Sequence, residues 1–131
     1  MKSVIRQLIT SSLHKAKNCG DLKLPIIPEI VVEKPKDDKF GDFSTSLPML
    51  LAKPEKMKPY EIAKILSNHL QSEVNQIASI SVAGPGFINL KMDPDFFLSR
   101  LLKVSEQGSQ YGSSNSGKGK KVLLEFVSAN P

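Results

Sequence analysis

A Gly84-Pro85-Gly86 turn between two runs rich in branched apolar residues constrains the fold of this chain more than any other stretch, because such a turn marks a β-hairpin. The spacing predicts a strand over residues 77–82, with Ala78, Ile80 and Val82 on one side and Ser79 and Ser81 on the other. Its partner runs over residues 87–92. Alternation sends Ile88, Leu90 and Met92 to one face and Phe87, Asn89 and Lys91 to the other. An aromatic ring, an amide and an ammonium group therefore share a polar face, while Gly84 and Gly86 serve the turn and allow close backbone approach.

Those three side chains have the chemistry that meets unpaired RNA. Splayed bases stack on aromatic faces and present their edges to amides. Phe87 can stack, Asn89 can both donate and accept, and Lys91 can hold a nearby phosphate. On spacing alone, packing of Phe87 under a loop or against a neighbouring domain is an equal reading.

The remaining pattern builds a platform around the hairpin. Ser3 is a candidate cap for a helix carrying Val4, Ile5, Leu8, Ile9, Leu13 and Ala16 at helical spacing, with Asn18-Cys19-Gly20 as its stop. Residues 29–33 are a short β-branched run and the expected first strand. Residues 34–39 form a charged turn whose three lysines could meet phosphates, although interleaved aspartates favour a solvated loop. A brief helix is expected to start through Ser44, Thr45 or Ser46, with Pro48 in its first turn, and to end near Ala52-Lys53-Pro54. Lys58-Pro59 opens another, striped by Ile62, Ala63, Ile65, Leu66, His69, Leu70 and Val74. Lys53, Lys56, Lys58 and Lys64 cluster around these helix ends, as a phosphate-facing edge or for solubility alone. Asp93-Pro94-Asp95 starts a last helix with Phe97, Leu98, Leu101, Leu102 and Val104 as its packing face.

Beyond it the composition turns to Gly, Ser, Asn, Gln and Lys, the signature of a linker over residues 107–121. Residues 122–127 then form a near-continuous apolar run, as in a strand buried on both faces of a parallel sheet. The expected organisation is a domain over residues 1–106, a linker over 107–121 and the first strand of a further domain over 122–131. Antiparallel strands with one apolar face each point to an α+β fold, a two-layer sandwich of helices on a small, mainly antiparallel sheet of α-β-β-α-β-β type.

Composition narrows the chemistry further. With 131 residues, 40% hydrophobic and 24% charged, the chain can bury a core without staples. No apolar run is long enough to span a bilayer, and residues 1–20 lack a continuous apolar segment of a leader, so no membrane association and a cytoplasmic monomer are expected. The net charge of +5 favours an anionic partner. One cysteine, Cys19, excludes an internal disulfide and reads as structural filler, and with His14 and His69 it shows no recognisable metal-ligand spacing. His69, on an apolar stripe without a paired carboxylate or nucleophile in view, reads as a packed or boundary histidine. The Gly112 to Lys118 spacing matches a phosphate-binding loop, but Gly119 stands where a hydroxyl should hold magnesium and the expected flanking elements are reversed.

Several of these pieces together resemble one family. Glu33-Lys34-Pro35 leading to Gly41-Asp42-Phe43, then Leu51-Ala52-Lys53, Pro59-Tyr60-Glu61-Ile62-Ala63, Ala83-Gly84-Pro85-Gly86-Phe87-Ile88-Asn89 and Tyr111-Gly112 resemble the N-terminal additional domain of bacterial-type arginyl-tRNA synthetases. Glu125-Phe126-Val127-Ser128-Ala129-Asn130-Pro131 resembles the first catalytic strand of the same enzymes. The resemblance implies a class I arginine–tRNA ligase that activates arginine with ATP and magnesium, and an N-terminal domain that contacts the D-loop of tRNA-Arg. It implies that Phe87 and Asn89 meet a splayed D-loop base, and that Ser128 and Asn130 line an arginine pocket they cannot complete alone. The family's catalytic histidine signature and lysine loop are absent from these residues, so no catalytic residue, cofactor or aminoacylation is expected of them. Two rival readings are a structural docking domain with weak RNA contact and an independent nucleotide-binding enzyme.

Overall fold

A computed structural model describes residues 1–71 and 76–124. In chain order it contains α1 (Lys2–Asn18), β1 (Phe43–Thr45), α2 (Leu47–Glu55), α3 (Pro59–Gln71), β2 (Ile77–Ala83), β3 (Phe87–Met92) and α4 (Pro94–Gln107), with short 3-10 turns at Asp38–Phe40 and Gly108–Gln110. The strands form one antiparallel sheet in the order β1-β3-β2. Helices and an antiparallel sheet share one core, the expected α+β class. No helix among the described residues is long and apolar enough to cross a membrane.

The centre of the sheet is the predicted hairpin strand. Ile88, Leu90 and Met92 of β3 are buried, and Phe43 and Thr45 of β1 face the same side in register with Leu90 and Ile88. α3 packs against α1, α2 and the β2–β3 hairpin, burying Ile62, Ala63, Leu66 and Leu70. α1 contributes Ile5, Ile9, Leu13 and Ala16. Each of the isoleucine and leucine side chains stabilises the fold by about 1.5 to 3 kcal/mol when fully buried. α4 begins as expected, with the Asp93 carboxylate accepting from the Asp95 N–H and Pro94 in the first turn.

Several expectations are corrected, each for a local reason. α1 starts at Lys2, and the Met1 carbonyl accepts its first N–H groups, so Ser3 is not its cap. Residues 29–33 keep alternating burial, with Ile30 and Val32 inward, yet their ladder shrinks to a single bridge between Glu33 and Ser44. The Thr45 hydroxyl donates to the Val31 carbonyl, which a strand partner would otherwise use. Thr45 also accepts from the Leu47 N–H. Residues 43–45 are thereby strand β1, so of the three expected starts only Ser46 holds, as the N-cap residue of α2 without a side-chain cap bond, and α2 runs on through Pro54 to Glu55.

In β2 a bulge lies between Ile77, paired with Met92, and Ser79, paired with Lys91. Ala78 is the extra residue, exposed rather than aligned with Ile80 and Val82; Ile77 takes the inward place. The expected packing face of α4 is largely solvent-exposed, Leu101 at 64%. Phe96 anchors this helix instead. Val122, Leu123 and Leu124 form no strand and are exposed, because no described strand pairs with them. Val74 and the remainder of the 122–127 run lie outside the described residues, as do Ser128 and Asn130.

Two backbone constraints hold the loops to this frame. Gly41 takes φ +88, and a Cβ there would lie 2.6 Å from the Leu90 carbonyl oxygen. Leu24 takes φ +45, and the buried Glu55 carboxylate accepts the N–H groups of Lys23 and Leu24. Gly41→Ala is therefore expected to lose about 1 to 3 kcal/mol from backbone strain alone, with the clash added, in urea unfolding. Glu55→Ala should lose about 2 to 4 kcal/mol by leaving both donors without an acceptor. Glu55→Gln should fall between Glu55→Ala and the unaltered chain, since its carbonyl oxygen still accepts while its NH2 faces a second donor; equal stability of all three proteins would refute the clamp.

Candidate nucleic-acid interface

The outward face of β3 is built by strand register. Asn89 stands opposite Ser44 of β1 and Ser81 of β2, and Phe87 opposite Ala83. Small neighbours on both sides leave a trough along the middle strand. Asn89 is only 5% exposed in it, and its side-chain amide has no hydrogen-bond partner among the described residues. Phe87, at 39% exposure, stands beside it as an open ring.

The trough widens into a cleft of about 490 Å³, walled by Ala83, Pro85 and Phe87 of the hairpin and by Pro35 and Phe40 of the preceding loop, with Ser44 and Asn89 also lining it. Lys34 and Lys36 line the same cleft. A smaller depression of about 230 Å³ continues along the strand past Lys91, Ser79 and Ser81, and both Phe40 and Asn89 border it. The hairpin carries three of the anticipated groups onto one surface, but Asn89 is deeper than alternation alone implied.

The turn is held by contact with α3. The Gly86 N–H bonds the Ala83 carbonyl at 3.3 Å, and Gly84 takes φ +53 at the first central position, as in hairpin turns that match strand twist. Gly86, buried with φ +152, would place a Cβ 2.7 Å from the Cβ of Pro59. Its close backbone approach is thus to the first residue of α3. Lys58 and Tyr60, both exposed, flank that contact. The other lysines of that group, Lys53, Lys56 and Lys64, are also exposed, and Lys64 sits over the Tyr60 ring.

Charge around the cleft is partly paired. Lys91 Nζ lies 3.7 Å from an Asp42 carboxylate oxygen, whose other oxygen accepts the Met92 N–H at 2.8 Å. Lys39 Nζ is 2.9 Å from Asp37 and 4.9 Å from the centre of the Phe40 ring. Hydrogen bonds from the Lys39 side chain, and then from its backbone N–H, hold the Asp37 carboxyl below the usual carboxylate range. Lys34 faces Asp38 at 3.8 Å. Exposed pairs of this kind are weak and exchange readily with a phosphate. The charged 34–39 turn was legible in sequence, but its role as the wall opposite the hairpin was not. The signal was Phe40, an aromatic directly following that turn.

The segment between Gly112 and Lys118 is an exposed series of turns, preceded by α4 and a 3-10 turn, with no helix following it among the described residues. It lacks the strand-to-helix frame of a phosphate loop. His69 is a boundary histidine, bonded to Asp21 at 2.8 Å.

The helices and the three-stranded antiparallel sheet define an α+β domain of the kind found within aminoacyl-tRNA synthetases. Its fold is shared with the arginyl-tRNA synthetase of Plasmodium falciparum (TM-score 0.62, 17% identity, 78% of this chain and 18% of that one) and with that of Thermus thermophilus (TM-score 0.59, 20% identity, 78% and 16%). The chain belongs to the arginyl tRNA synthetase N terminal domain family, whose model matches residues 3–92. Arginine–tRNA ligases of Geotalea uraniireducens and Caldanaerobacter subterraneus are 42% and 39% identical over 131 and 130 residues. The chain spans 23% of the length of each of these curated relatives.

The two turn glycines are expected to differ when substituted. Gly86→Ala should lower the unfolding free energy by about 1 to 3 kcal/mol, and more through displacement of Pro59. Gly84→Ala, whose nearest contact would be the Phe87 ring at 3.7 Å, should cost about 1 to 2 kcal/mol for the left-handed backbone alone. Thermal unfolding of both variants provides the comparison, and an unchanged Gly86→Ala protein would refute the packing.

Proposed function

We propose that the cleft receives an unpaired base from the D-loop of tRNA-Arg, within a whole protein that attaches arginine to tRNA using ATP. The observation that carries this reading is Asn89, a residue only 5% exposed beside the open Phe87 ring, whose side-chain amide has no hydrogen-bond partner among the described residues. The amide carries two donors and an acceptor whose hydrogen bonds no described residue makes. A base edge that reaches it restores those hydrogen bonds, while the base plane stacks on Phe87. Lys91 and the lysines of the 34–39 loop then meet the flanking phosphates.

We assign ATP and magnesium to other parts of the ligase. Ser128 and Asn130 we assign to its arginine pocket. A cytoplasmic, monomeric ligase remains the simplest setting. Docking within the synthetase is a second role that one observation favours: Leu98, Leu101 and Leu102 of α4 are exposed together. That face is on a different element from the cleft, so docking need not cover Phe87.

Binding of tRNA-Arg, measured across a salt series, tests the cleft. Phe87→Ala is expected to weaken binding by about 1 to 3 kcal/mol with an unchanged salt slope. Lys91→Ala should reduce that slope by about 1. Asn89→Ala should weaken binding and relax the preference among D-loop bases. If Phe87→Ala and Asn89→Ala keep their fold and bind like the unaltered chain, this cleft does not read the base.

A further inference from the structure

Away from the hairpin, the end of α1 and the last described turn of α3 bring three metal-ligating side chains together. Cys19 caps α1, and Gly20 at φ +81 turns the chain left-handed. The Gly20 N–H bonds the Lys17 carbonyl at 3.0 Å and the Asp21 N–H that of Ala16 at 2.9 Å. This closing pattern fixes the backbone that carries Cys19 and Asp21. His69 lies opposite, 48 residues from Asp21 in sequence, with Nε2 2.8 Å from an Asp21 carboxylate oxygen. The Cys19 thiol completes the group: one ligand atom from each residue lies within 4.8 Å of the other two.

An Asp21–His69 ion pair accounts for two of these groups and leaves the thiol unused. A metal ion accounts for all three. Zinc bonds of about 2.0 to 2.3 Å in a tetrahedron set ligand atoms roughly 3.3 to 3.8 Å apart. The Asp21–His69 pair, at 2.8 Å, is somewhat closer than that, and no pair is more than 4.8 Å apart. Cys19 and Asp21 are exposed, so rotation about their side-chain bonds can close the difference without moving the helices. Thiolate and imidazole select zinc-class ions over magnesium or calcium. The carbonyl end of α1 adds favourable potential for a cation, opposed by Lys15 and Lys17 in its last turn.

We propose that Cys19, Asp21 and His69 form a three-ligand site for a divalent transition ion of the zinc class, with water in the fourth position, tying the end of α1 to α3. Sequence spacing conceals the site because only the packing of α1 on α3 brings His69 to the Cys19-Gly20-Asp21 turn.

Cobalt(II), added to the 131-residue chain, is the probe. One equivalent should give tetrahedral ligand-field absorption and a thiolate-to-cobalt charge-transfer band, both removed by competing zinc. Cys19→Ser should abolish the charge-transfer band, and His69→Gln should weaken zinc binding about tenfold or more. His14→Gln, an exposed histidine elsewhere on α1, should change neither, and circular dichroism checks that every variant is folded. An octahedral cobalt spectrum, or zinc binding to folded Cys19→Ser and His69→Gln as tight as to the unaltered chain, would overturn the assignment.

Discussion

The middle strand of a three-stranded sheet must have its backbone hydrogen bonds met on both sides, and β3 meets this demand with a side chain where a neighbouring strand runs out. β1 is only three residues long. Just before it, the Asp42 N–H reaches the Leu90 carbonyl at 2.8 Å and the Asp42 carboxylate accepts the Met92 N–H at 2.8 Å. The carboxylate thus continues the ladder that the backbone has left. Gly41 can then turn away at a separation from Leu90 that no side chain permits. This latch sets the 34–40 loop against the hairpin, and so creates a cleft where the sheet alone would present an open face.

The inner half of this architecture was legible because it follows from alternation and punctuation. Ile88, Leu90 and Met92 face the core, the Gly-Pro-Gly turn closes the hairpin, and Asp93-Pro94 opens α4. The outer half depends on relations between distant residues. Asn89 lies between Ser44 and Ser81 on the middle strand, with the larger Phe40 and Phe87 lining the cleft around it, and no local pattern signals this. The wall formed by Phe40, the loss of a full strand at residues 29–33 to the Thr45 hydroxyl, and the meeting of Cys19 with His69 all require tertiary placement. The leucines of α4 followed helical spacing faithfully, but periodicity identifies an apolar face without saying what covers it.

Electrostatics and shape divide the work at the cleft. A net charge of +5 draws any polyanion towards the surface, yet Lys34, Lys39 and Lys91 beside the site are engaged with Asp38, Asp37 and Asp42. Their attraction is therefore local and easily redirected to a phosphate. For the base proposed to enter the cleft, discrimination would rest on the Phe87 ring at the start of β3, the Asn89 amide in its middle, and the turn seated on Pro59. A site of this kind is positioned by the packing of α3 as much as by the hairpin itself.

The bulge at Ala78 has a consequence beyond the face it exposes. β2 is the longer edge of the sheet, and no described strand pairs with its outer side. A flat edge of that length offers a template on which a second chain could add a strand. The extra residue bends and twists the edge where it begins, and Ser79 and Ser81 keep its outward positions polar. An irregularity in strand pairing thereby makes this border of the sheet a poorer template for an added strand.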